Sequence, residues 1–203
     1  MFTGIIQSKG KIKSIQELES GITQIQVSHG LQRSFATGES IAINGCCLTI
    51  TTGSKEEFTF EVLSQTMRVT NFSELKVGSY LNIEPAITAA EMLSGHIVSG
   101  HVDCTAIVHL AESRHGEYRL GITISNEYAH LVIDKGSISI NGISLTIASL
   151  EDVSQKSKIE CSIIPETVKR TNVPELKIGA SVNIEFDLIG KYVHRAQILK
   201  NNF

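Results

Sequence analysis

The sequence predicts an all-β protein: a tandem duplication of two similar six-stranded antiparallel β-barrels, followed by a C-terminal α-helix. Three observations predict this fold class. The two halves of the 203-residue chain repeat the same motifs in the same order. Short segments alternate apolar and polar residues, as half-buried strands do. About six such segments in each half, with no amphipathic helix able to cover an open sheet, favour a closed barrel.

The repeat is strongest around two Asn-Gly pairs. The segment SIAINGCCLTI (residues 40–50) matches SISINGISLTI (residues 137–147), with Gly45 and Gly142 97 positions apart. Asn-Gly between two alternating runs predicts a β-hairpin, because both residues of a type I′ turn need a positive φ. QTMRVTNFSELKVGSYLNIE also matches ETVKRTNVPELKIGASVNIE at 101 positions, and TGII matches SGHV at 96. Three ordered matches at nearly constant spacing indicate an internal duplication.

Each half also supplies matching strands and connections. Alternation predicts strands at GITQIQV, FTFEVL and YLNIE in the first half, and at YRLGITI, KIECSII and SVNIE in the second. The segments GLQRSFATG and NEYAHLVIDKG predict short helical pieces that end at glycine caps. The segments NFSELKVG and NVPELKIG predict loops or single turns before the last strand of each half.

The C-terminus has no counterpart after the first half. Its apolar residues recur at spacings of 3 and 4 and predict one apolar helical face, formed by Leu188, Tyr192, Ala196, Leu199 and Phe203. A lone helix of this length is marginal, so it must pack on its own barrel or on a symmetry mate, and we favour the second. We therefore expect a first barrel over residues 1–90, a second over 91–187 and an oligomerisation helix over 188–203.

Composition narrows the partners and the compartment. The formal net charge is −3 and basic residues do not cluster, so neither a nucleic acid nor a membrane is an expected partner. The N-terminus lacks the apolar segment of a signal peptide, and no apolar run approaches the roughly 20 residues that cross a bilayer. We expect a soluble, cytoplasmic protein. Its four cysteines, Cys46, Cys47, Cys104 and Cys161, are expected to be reduced thiols.

Duplicated barrels with hairpins at matching places predict duplicated pockets for similar ligands. The fourth position of each NGxxLT motif carries a thiol or hydroxyl, Cys47 in the first half and Ser144 in the second. Thr49 and Thr146 follow two residues later on the same strand face. Alternatively, these small polar groups fill gaps in the core, but their repetition favours the pockets. Glu166-Thr167 is expected to end a strand, with Gln65-Thr66 as its counterpart.

The segment SGHIVSGHVDC is the densest polar patch. In an extended segment His96 and His101 point to opposite faces, which disfavours joint ligation of one metal, so no metal site is expected. A histidine beside glycines suits hydrogen bonding to a heteroaromatic ligand, or proton transfer near neutral pH. Lys135 and Asp187 complete the ionisable candidates, and the sequence has no phosphate-binding or hydrolase motif.

Together these motifs resemble a known family. MFTGII, NGCCLT, SGHIVSGHVD, NGISLTI, IPETVKRTN and VNIE resemble the riboflavin synthase family of the α-chain type, from Met1 to about Asp187. The resemblance implies two six-stranded barrels and a C-terminal helix that assembles a homotrimer. It also implies a reaction without metal or redox cofactor, in which two molecules of 6,7-dimethyl-8-ribityllumazine dismutate by transfer of a four-carbon unit. The products are riboflavin and 5-amino-6-(D-ribitylamino)uracil, in the last step of riboflavin biosynthesis. The resemblance leaves open an association with lumazine synthase.

In that family one substrate lies in the first barrel of one subunit, and its partner lies in the second barrel of a neighbour. By motif match, the first pocket would use Gly4, Ile5, Ile6, Cys47, Leu48, Thr49, Glu61, Val62, Leu63, Ser64, Gln65 and Thr66. The second would use Gly100, His101, Val102, Ser144, Leu145, Thr146, Ser162, Ile163, Ile164, Pro165, Glu166 and Thr167, with Lys135 reaching across the interface.

The resemblance also implies chemical roles. His101, Ser144 and Thr146 would handle the proton of the acidic C7 methyl group, and the catalytic set also includes Cys47 and Asp187. A nucleophile must add at C7 of the donor, and Ser144, Cys47 and water remain equal candidates. Holding two rings face to face would itself supply much of the rate.

Three positions depart from the family pattern. Gln65 stands where the family usually has Glu, Ser94 replaces the first glycine of a GGH motif, and Pro85 stands where a basic residue is common. One rival interpretation is a non-catalytic, lumazine-binding fluorescent relative, which would be expected to lose the second-barrel residues kept here. Another is a flavin-binding reductase module, which would need a following nucleotide-binding half.

Overall fold

The computed structural model describes residues 1–114 and 116–200, and these form two closed antiparallel barrels of six strands each. The strands of the first barrel are β1 (Ser8–Glu17), β2 (Thr23–Ser28), β3 (Ser40–Ile43), β4 (Cys46–Gly53), β5 (Glu57–Val62) and β6 (Tyr80–Pro85). Those of the second barrel are β7 (Cys104–Arg114), β8 (Glu117–Ser125), β9 (Ser137–Ile140), β10 (Ile143–Val153), β11 (Lys156–Ile163) and β12 (Ser181–Phe186). The predicted fold class is therefore confirmed.

The two barrels share one topology. The strand order around the first barrel is β1-β2-β5-β4-β3-β6, and the second repeats it as β7-β8-β11-β10-β9-β12. The β-bulges also recur. The register of the strand pairing shifts between Ile12 and Ser14 in β1 and between Val108 and Leu110 in β7. Such bulges let a strand bend sharply enough to close a small barrel.

Local sequence explains the hairpins that carry the pocket motifs. Asn44 and Gly45 have φ angles of 45° and 78°, and Asn141 and Gly142 have 46° and 79°. Positive φ at both central residues is the type I′ geometry that matches the twist of the flanking strands. The predicted hairpins β3–β4 and β9–β10 are confirmed, and they fix the register of the residues that follow.

Two short helices that alternation did not predict follow β5 and β11. α1 (Ser64–Val69) and α2 (Pro165–Arg170) begin almost directly after these strands, so the strand ends predicted at Gln65-Thr66 and Glu166-Thr167 are wrong. Pro165 favours a helix start, because a proline lacks only an N–H that the first turn does not use. Helices of this length are too short to show an apolar period, which is why the pattern missed them.

The predicted helical pieces near glycines form only in part. The second is a 3₁₀-helix, Asn126–Leu131, which ends well before its glycine. The first, residues 30–38, contains no helix, so that prediction is wrong. Phe35 instead anchors this loop in the first core with 3% exposure. The predicted single turns are confirmed as the 3₁₀ turns Asn71–Glu74 and Val173–Glu175.

The barrels meet around a pseudo-twofold axis. At its centre a Cβ atom on Gly45 would lie 2.7 Å from the backbone nitrogen of Gly142, and the reverse distance is 2.6 Å. Six buried asparagines surround this contact and hydrogen-bond across it: Asn44, Asn71, Asn82, Asn141, Asn172 and Asn183. Asn82 Nδ2 donates to the carbonyl of Asn141, and Asn183 Nδ2 to that of Asn44, both at 2.9 Å. These paired bonds fix one barrel relative to the other.

The C-terminal helix, α3 (Leu188–Lys200), lies against the second barrel with no residue of its own buried. Ile189, Tyr192 and Val193 are 64%, 70% and 52% exposed. Phe203, the last member of the predicted apolar face, lies outside the described residues. Among the described residues, no helix combines the length and apolar character needed to cross a membrane.

Candidate functional site

Two short segments cross between the barrels. The first crossing segment is residues 2–6, and the second crossing segment is residues 98–102. They pair as an antiparallel bridge in which the N···O distances between Phe2 and Val98 are 2.8 and 3.1 Å. Because the two residues are repeat equivalents, this bridge lies on the pseudo-twofold axis, and each segment repeats the contacts of the other.

A buried carboxylate anchors each crossing segment to the last strand of a barrel. Glu84 in β6 accepts hydrogen bonds from the N–H groups of Thr3 at 2.7 Å and Gly4 at 3.0 Å. Glu185 in β12 accepts the equivalent pair, at 2.6 and 2.9 Å, from residues 99–100. Burial raises the pKa of the Glu84 carboxyl, while the N–H donors oppose that shift.

Beyond its carboxylate, each crossing segment binds the opposite barrel. The carbonyl of Gly4 accepts from the N–H of Ser144 in β10 at 2.8 Å, and the carbonyl of Gly100 accepts from the N–H of Cys47 in β4 at 2.8 Å. Each segment is therefore held by one barrel through its N–H groups and by the other barrel through its carbonyl. The pocket motifs of both halves meet at these two contacts.

This exchange corrects the predicted grouping of the pocket residues. The motif match to the family grouped residues 4–6 with Cys47 and residues 100–102 with Ser144. The structure instead joins residues 4–6 to Ser144 and residues 100–102 to Cys47. The side chains follow the backbone, since Ile6 is buried in the second core and Val102 packs against the first. Motif order along the chain carries no information about an exchange between halves, so the sequence did not predict it.

Only glycine fits where the crossing segments touch the strands. Gly4 and Gly100 have φ angles of +76° and +84°, in the left-handed region. A Cβ atom on Gly4 would lie 2.6 Å from the Cβ of Ser144, and one on Gly100 would lie 2.5 Å from the Cβ of Cys47. Both the conformation and the close approach exclude a side chain.

A cleft of about 170 Å³ opens where the first crossing segment meets the second barrel, and we name it the second cleft. Its apolar wall is formed by isoleucines, and its polar groups come from Ser144, from α2 and from Thr171 directly after α2. In α2, the Arg170 guanidinium pairs with the Glu166 carboxylate one turn earlier. The other lining residues are Gly4, Ile5, Ile6, Ile143, Thr167 and Thr171. An apolar wall with a few convergent polar groups suits a flat heteroaromatic ligand.

Ser144 has a histidine partner that the sequence did not assign to either pocket. His96 Nδ1 lies 2.7 Å from Ser144 Oγ, and His96 is 9% exposed. Burial lowers the pKa of His96, and the charge of Asp187 opposes that shift. The imidazole beside Ser144 is therefore neutral near pH 7.

The positions of the first barrel that are equivalent to the second cleft are residues 100–102, Cys47 and the start of α1, and we name this region the first cleft. Burial raises the pKa of the Cys47 thiol, so it is neutral near pH 7 and a weak nucleophile. Gln65 and Val69 stand at the repeat positions of the charged pair in α2. The first cleft therefore lacks the ion pair and the hydroxyl that the second cleft presents.

The remaining predicted site residues fall into three groups. Leu48, Leu145, Val62 and Ile163 are core residues of β4, β10, β5 and β11, while Thr49 and Thr146 are exposed on β4 and β10. Of the predicted strand-end residues, Leu63, Ser64, Gln65, Ser162, Ile164, Pro165 and Glu166 are exposed, whereas Glu61, Thr66 and Thr167 are half-buried.

Three ionisable candidates lie outside the lining of the second cleft: Lys135, Asp187 and His101. Lys135 is exposed, and its Nζ donates to the carbonyl of Ala148 at 2.6 Å. Asp187 Oδ1 accepts from the N–H of Ile189 at 2.9 Å, at the start of α3. His101 is exposed on the second crossing segment. None of these contacts joins the three side chains to one another.

Sequence reasoning missed the carboxylates, the asparagines and Arg170. Glu84 and Glu185 recur in the repeated NIE motif, and the asparagines recur with them, so a test of which polar residues the duplication retains could have found both sets. Arg170 gives no such signal, because its repeat equivalent is Val69.

Comparison with known proteins follows the same division of the chain. The profile of the lumazine binding domain family matches twice, over residues 3–86 and 99–187. The riboflavin synthase of Actinobacillus pleuropneumoniae is 41% identical over 201 residues, which cover 98% of this chain and 91% of that protein. The riboflavin synthases of Bacillus subtilis (strain 168) and Escherichia coli (strain K12) are 36% and 34% identical. They match 96% and 92% of this chain and 89% and 87% of their own lengths.

Solved structures give the same fold. LumP complexed with 6,7-dimethyl-8-(1'-D-ribityl) lumazine superposes with a TM-score of 0.76 at 24% identity, over 92% of this chain and 99% of that one. LumP complexed with riboflavin superposes with a TM-score of 0.75 at 24% identity, over the same shares. At this identity the likeness establishes the shared architecture of two barrels.

Proposed function

The chain belongs to the riboflavin synthase family, and on that premise we propose that it converts two molecules of 6,7-dimethyl-8-ribityllumazine into riboflavin and 5-amino-6-(D-ribitylamino)uracil. This is the last step of riboflavin biosynthesis. The enzyme acts as a transferase, because one substrate gives a four-carbon unit to the other. Every atom of the two substrates is retained in the two products, so no oxidant or reductant is consumed.

The observation that carries the proposal is the reciprocal exchange of the crossing segments. Gly4 meets Ser144 and Gly100 meets Cys47 at the same N···O distance of 2.8 Å, so the two halves form two equivalent junctions beside which a ligand can bind. A reaction between two identical substrates needs two related binding sites. The different polar groups at Cys47 and Ser144 suit different roles for the two substrates, as acceptor and donor of the transferred unit.

In this proposal, each active site forms at a contact between two subunits. The first cleft of one subunit faces the second cleft of a neighbour, so that two lumazine rings lie face to face. His101 is exposed on the second crossing segment and would reach a ligand held by Ser144 and Thr146 of the neighbour. These groups would handle the proton of the C7 methyl group, whose anion delocalises into the ring. Lys135 would reach the substrate across the subunit interface, and Asp187 would complete the catalytic set; both lie outside the lining of the second cleft of their own chain.

A homotrimer is the assembly that we propose, organised by α3. Ile189, Tyr192 and Val193 on this helix are more than half exposed, and a surface of this kind marks a protein contact. An association of the trimer with lumazine synthase would supply the substrate directly. Truncation after Asp187 is expected to give monomers by sedimentation velocity. Trimers that persist without the helix would contradict its role.

The activity is tested with the substrate alone. Purified protein incubated with 6,7-dimethyl-8-ribityllumazine is expected to form riboflavin, detected by its fluorescence, with two lumazines consumed for each riboflavin. Tight binding of the lumazine with no riboflavin formed would contradict the proposal. It would assign the chain to the non-catalytic, lumazine-binding relatives.

A further inference from the structure

The hydroxyl of Ser144 is positioned from behind by His96. The Ser144 N–H is already bonded to the carbonyl of Gly4 at 2.8 Å, so the side chain is the group left to meet a ligand. Its Oγ lies 2.7 Å from His96 Nδ1. The backbone of His96 is held in turn, because its main-chain N–H donates to the carbonyl of Thr3 at 3.2 Å. Ser144 lines the second cleft and His96 does not, so His96 lies behind Ser144 as seen from the cleft.

The surroundings of the imidazole decide which atom carries the proton. His96 Nε2 is buried, and among the described residues it makes no hydrogen bond. A neutral imidazole has one N–H and one lone pair. If the N–H were at Nε2, a buried donor would be orphaned, which is rarer in proteins than an unused acceptor. The favoured tautomer therefore has its N–H at Nδ1, pointing at Ser144 Oγ.

We propose that His96 is a positioning residue that donates its Nδ1–H to Ser144 Oγ, so that the Ser144 hydroxyl hydrogen points into the second cleft and donates to the ligand. This inference rests on the proposed function and deepens it. The ligand atom must be an acceptor, such as a carbonyl oxygen or an unprotonated ring nitrogen of the lumazine. Donation to such an atom would draw negative charge toward it and would stabilise the anion left when the C7 methyl group loses a proton.

The same geometry argues against an activated Ser144 nucleophile. A general base must accept the hydroxyl proton through a lone pair. With its N–H at Nδ1, His96 presents a donor to Ser144 and has no lone pair on that side. Ser144 is therefore not the nucleophile that adds at C7, which leaves water and Cys47 for that role. Burial raises the pKa of the Cys47 thiol, which favours water.

Two substitutions at His96 separate the alternatives. The amide Nδ2 of asparagine can occupy the place of His Nδ1 and donate the same hydrogen bond, but it cannot act as a base. We expect His96→Asn to keep kcat within about threefold of the wild type. His96→Phe, which removes the donor, is expected to lower kcat by about 30-fold, and Ser144→Ala by about 100-fold. The double variant His96→Phe/Ser144→Ala should be no slower than Ser144→Ala alone, because both act through one hydroxyl.

A matched control uses a histidine in a strand of the second barrel. His109 Nδ1 lies 3.0 Å from Thr123 Oγ1, and neither residue lines the second cleft. Burial also lowers the pKa of His109. His109→Phe removes a similar pair from the barrel wall and is expected to leave kcat unchanged. If His96→Phe fails to fold, His96→Gln takes its place, since its amide reaches the Nε2 position and is expected to be as slow.

A spectroscopic readout makes the two kinds of failure distinguishable. The absorption spectrum of bound 6,7-dimethyl-8-ribityllumazine is expected to shift equally in His96→Phe and Ser144→Ala and to stay unshifted in His96→Asn. If His96→Asn is as slow as His96→Phe, or if the double variant shows the product of the two single losses, the positioning role is wrong. Wild-type protein that forms no riboflavin would instead overturn the proposed function, while the bound spectra would still test the hydrogen bond.

Discussion

The first barrel closes its end with aromatic rings, whereas the second barrel closes the equivalent end with hydrogen bonds. His29 stacks on Phe58 with ring centroids 5.3 Å apart and meets Phe35 edge-on at 5.1 Å. At the equivalent place in the second barrel, Ser157 Oγ lies 2.5 Å from Asp152 Oδ1 and 3.3 Å from an oxygen of Asn126. The barrel frame therefore tolerates two different solutions to the same closure.

The clefts differ in the same way, while the exchange that builds them does not. The carboxylates Glu84 and Glu185 hold their crossing segments with nearly identical distances. The second cleft adds an ion pair in α2 and the pair of Ser144 with His96. The first half has Gln65 and Val69 at the positions of the ion pair and Cys47 at the position of Ser144. The duplication therefore kept the contacts that join the two halves, while the groups that face the ligand diverged.

The largest expected difference between the clefts is catalytic. We expect Ser144→Ala to lower kcat by about 100-fold, because a donor aimed at the developing charge is lost. Cys47→Ala, at the equivalent place, should lower kcat by less than about tenfold, because a neutral thiol gives only a weak hydrogen bond. The ratio of the two kcat values, with circular dichroism as the control for folding, measures the asymmetry. Equal losses would contradict different roles for the clefts.

The exchange itself can be tested through its carboxylates. Glu84→Gln turns an amide NH₂ toward backbone N–H donors, so we expect it to lower the free energy of unfolding by about 1–3 kcal/mol, as should Glu185→Gln. Because Glu84 holds the segment that reaches Ser144, its effect on kcat should be non-additive with Ser144→Ala and additive with Cys47→Ala. Chemical denaturation and a double-mutant cycle measure both. If Glu84→Gln were instead non-additive with Cys47→Ala and additive with Ser144→Ala, residues 4–6 would belong with Cys47, as the motif match predicted.

The smallest effect concerns pH and the aromatic end of the first barrel. Burial lowers the pKa of His29, so the unfolded chain binds a proton that the folded chain does not. Its contribution to stability is present above a pH of about 6.5 and is lost as the pH falls, by at most about 1.4 kcal/mol per pH unit. His29→Gln should flatten this slope for hydrogen exchange in β2 and β5. An unchanged slope in these strands would exclude His29 as the cause.

Local physical chemistry explains why so much of the fold was predictable. Alternation of apolar and polar residues predicts a strand, because side chains two residues apart lie on the same strand face. Asn-Gly predicts a turn, because these two residue types adopt the positive φ angles that a type I′ turn needs. The duplication then extended both signals to a second barrel. Cys47 and Ser144 were singled out for the same reason, since the repeat drew attention to polar residues at matching places.

The rest depends on contacts between residues distant in sequence. Glu84 binds Thr3 across 81 positions, and Asn172 Nδ2 lies 3.3 Å from Asn44 Oδ1 across 128 positions. No pattern within one half specifies which half supplies the partner, so the exchange and the pairing of His96 with Ser144 could not be predicted. The short helices α1 and α2 were missed for a different reason, because six residues give too little periodicity.

The asparagine contacts around Gly45 and Gly142 have a consequence for how the chain holds together. Each half donates the same hydrogen bonds to the other half that it accepts from it. This is the symmetry of an isologous dimer within a single polypeptide. The linking peptide of residues 86–97 acts as a tether, so the interface forms at a fixed effective concentration however dilute the protein. Cutting that tether would leave two pieces whose association follows mass action.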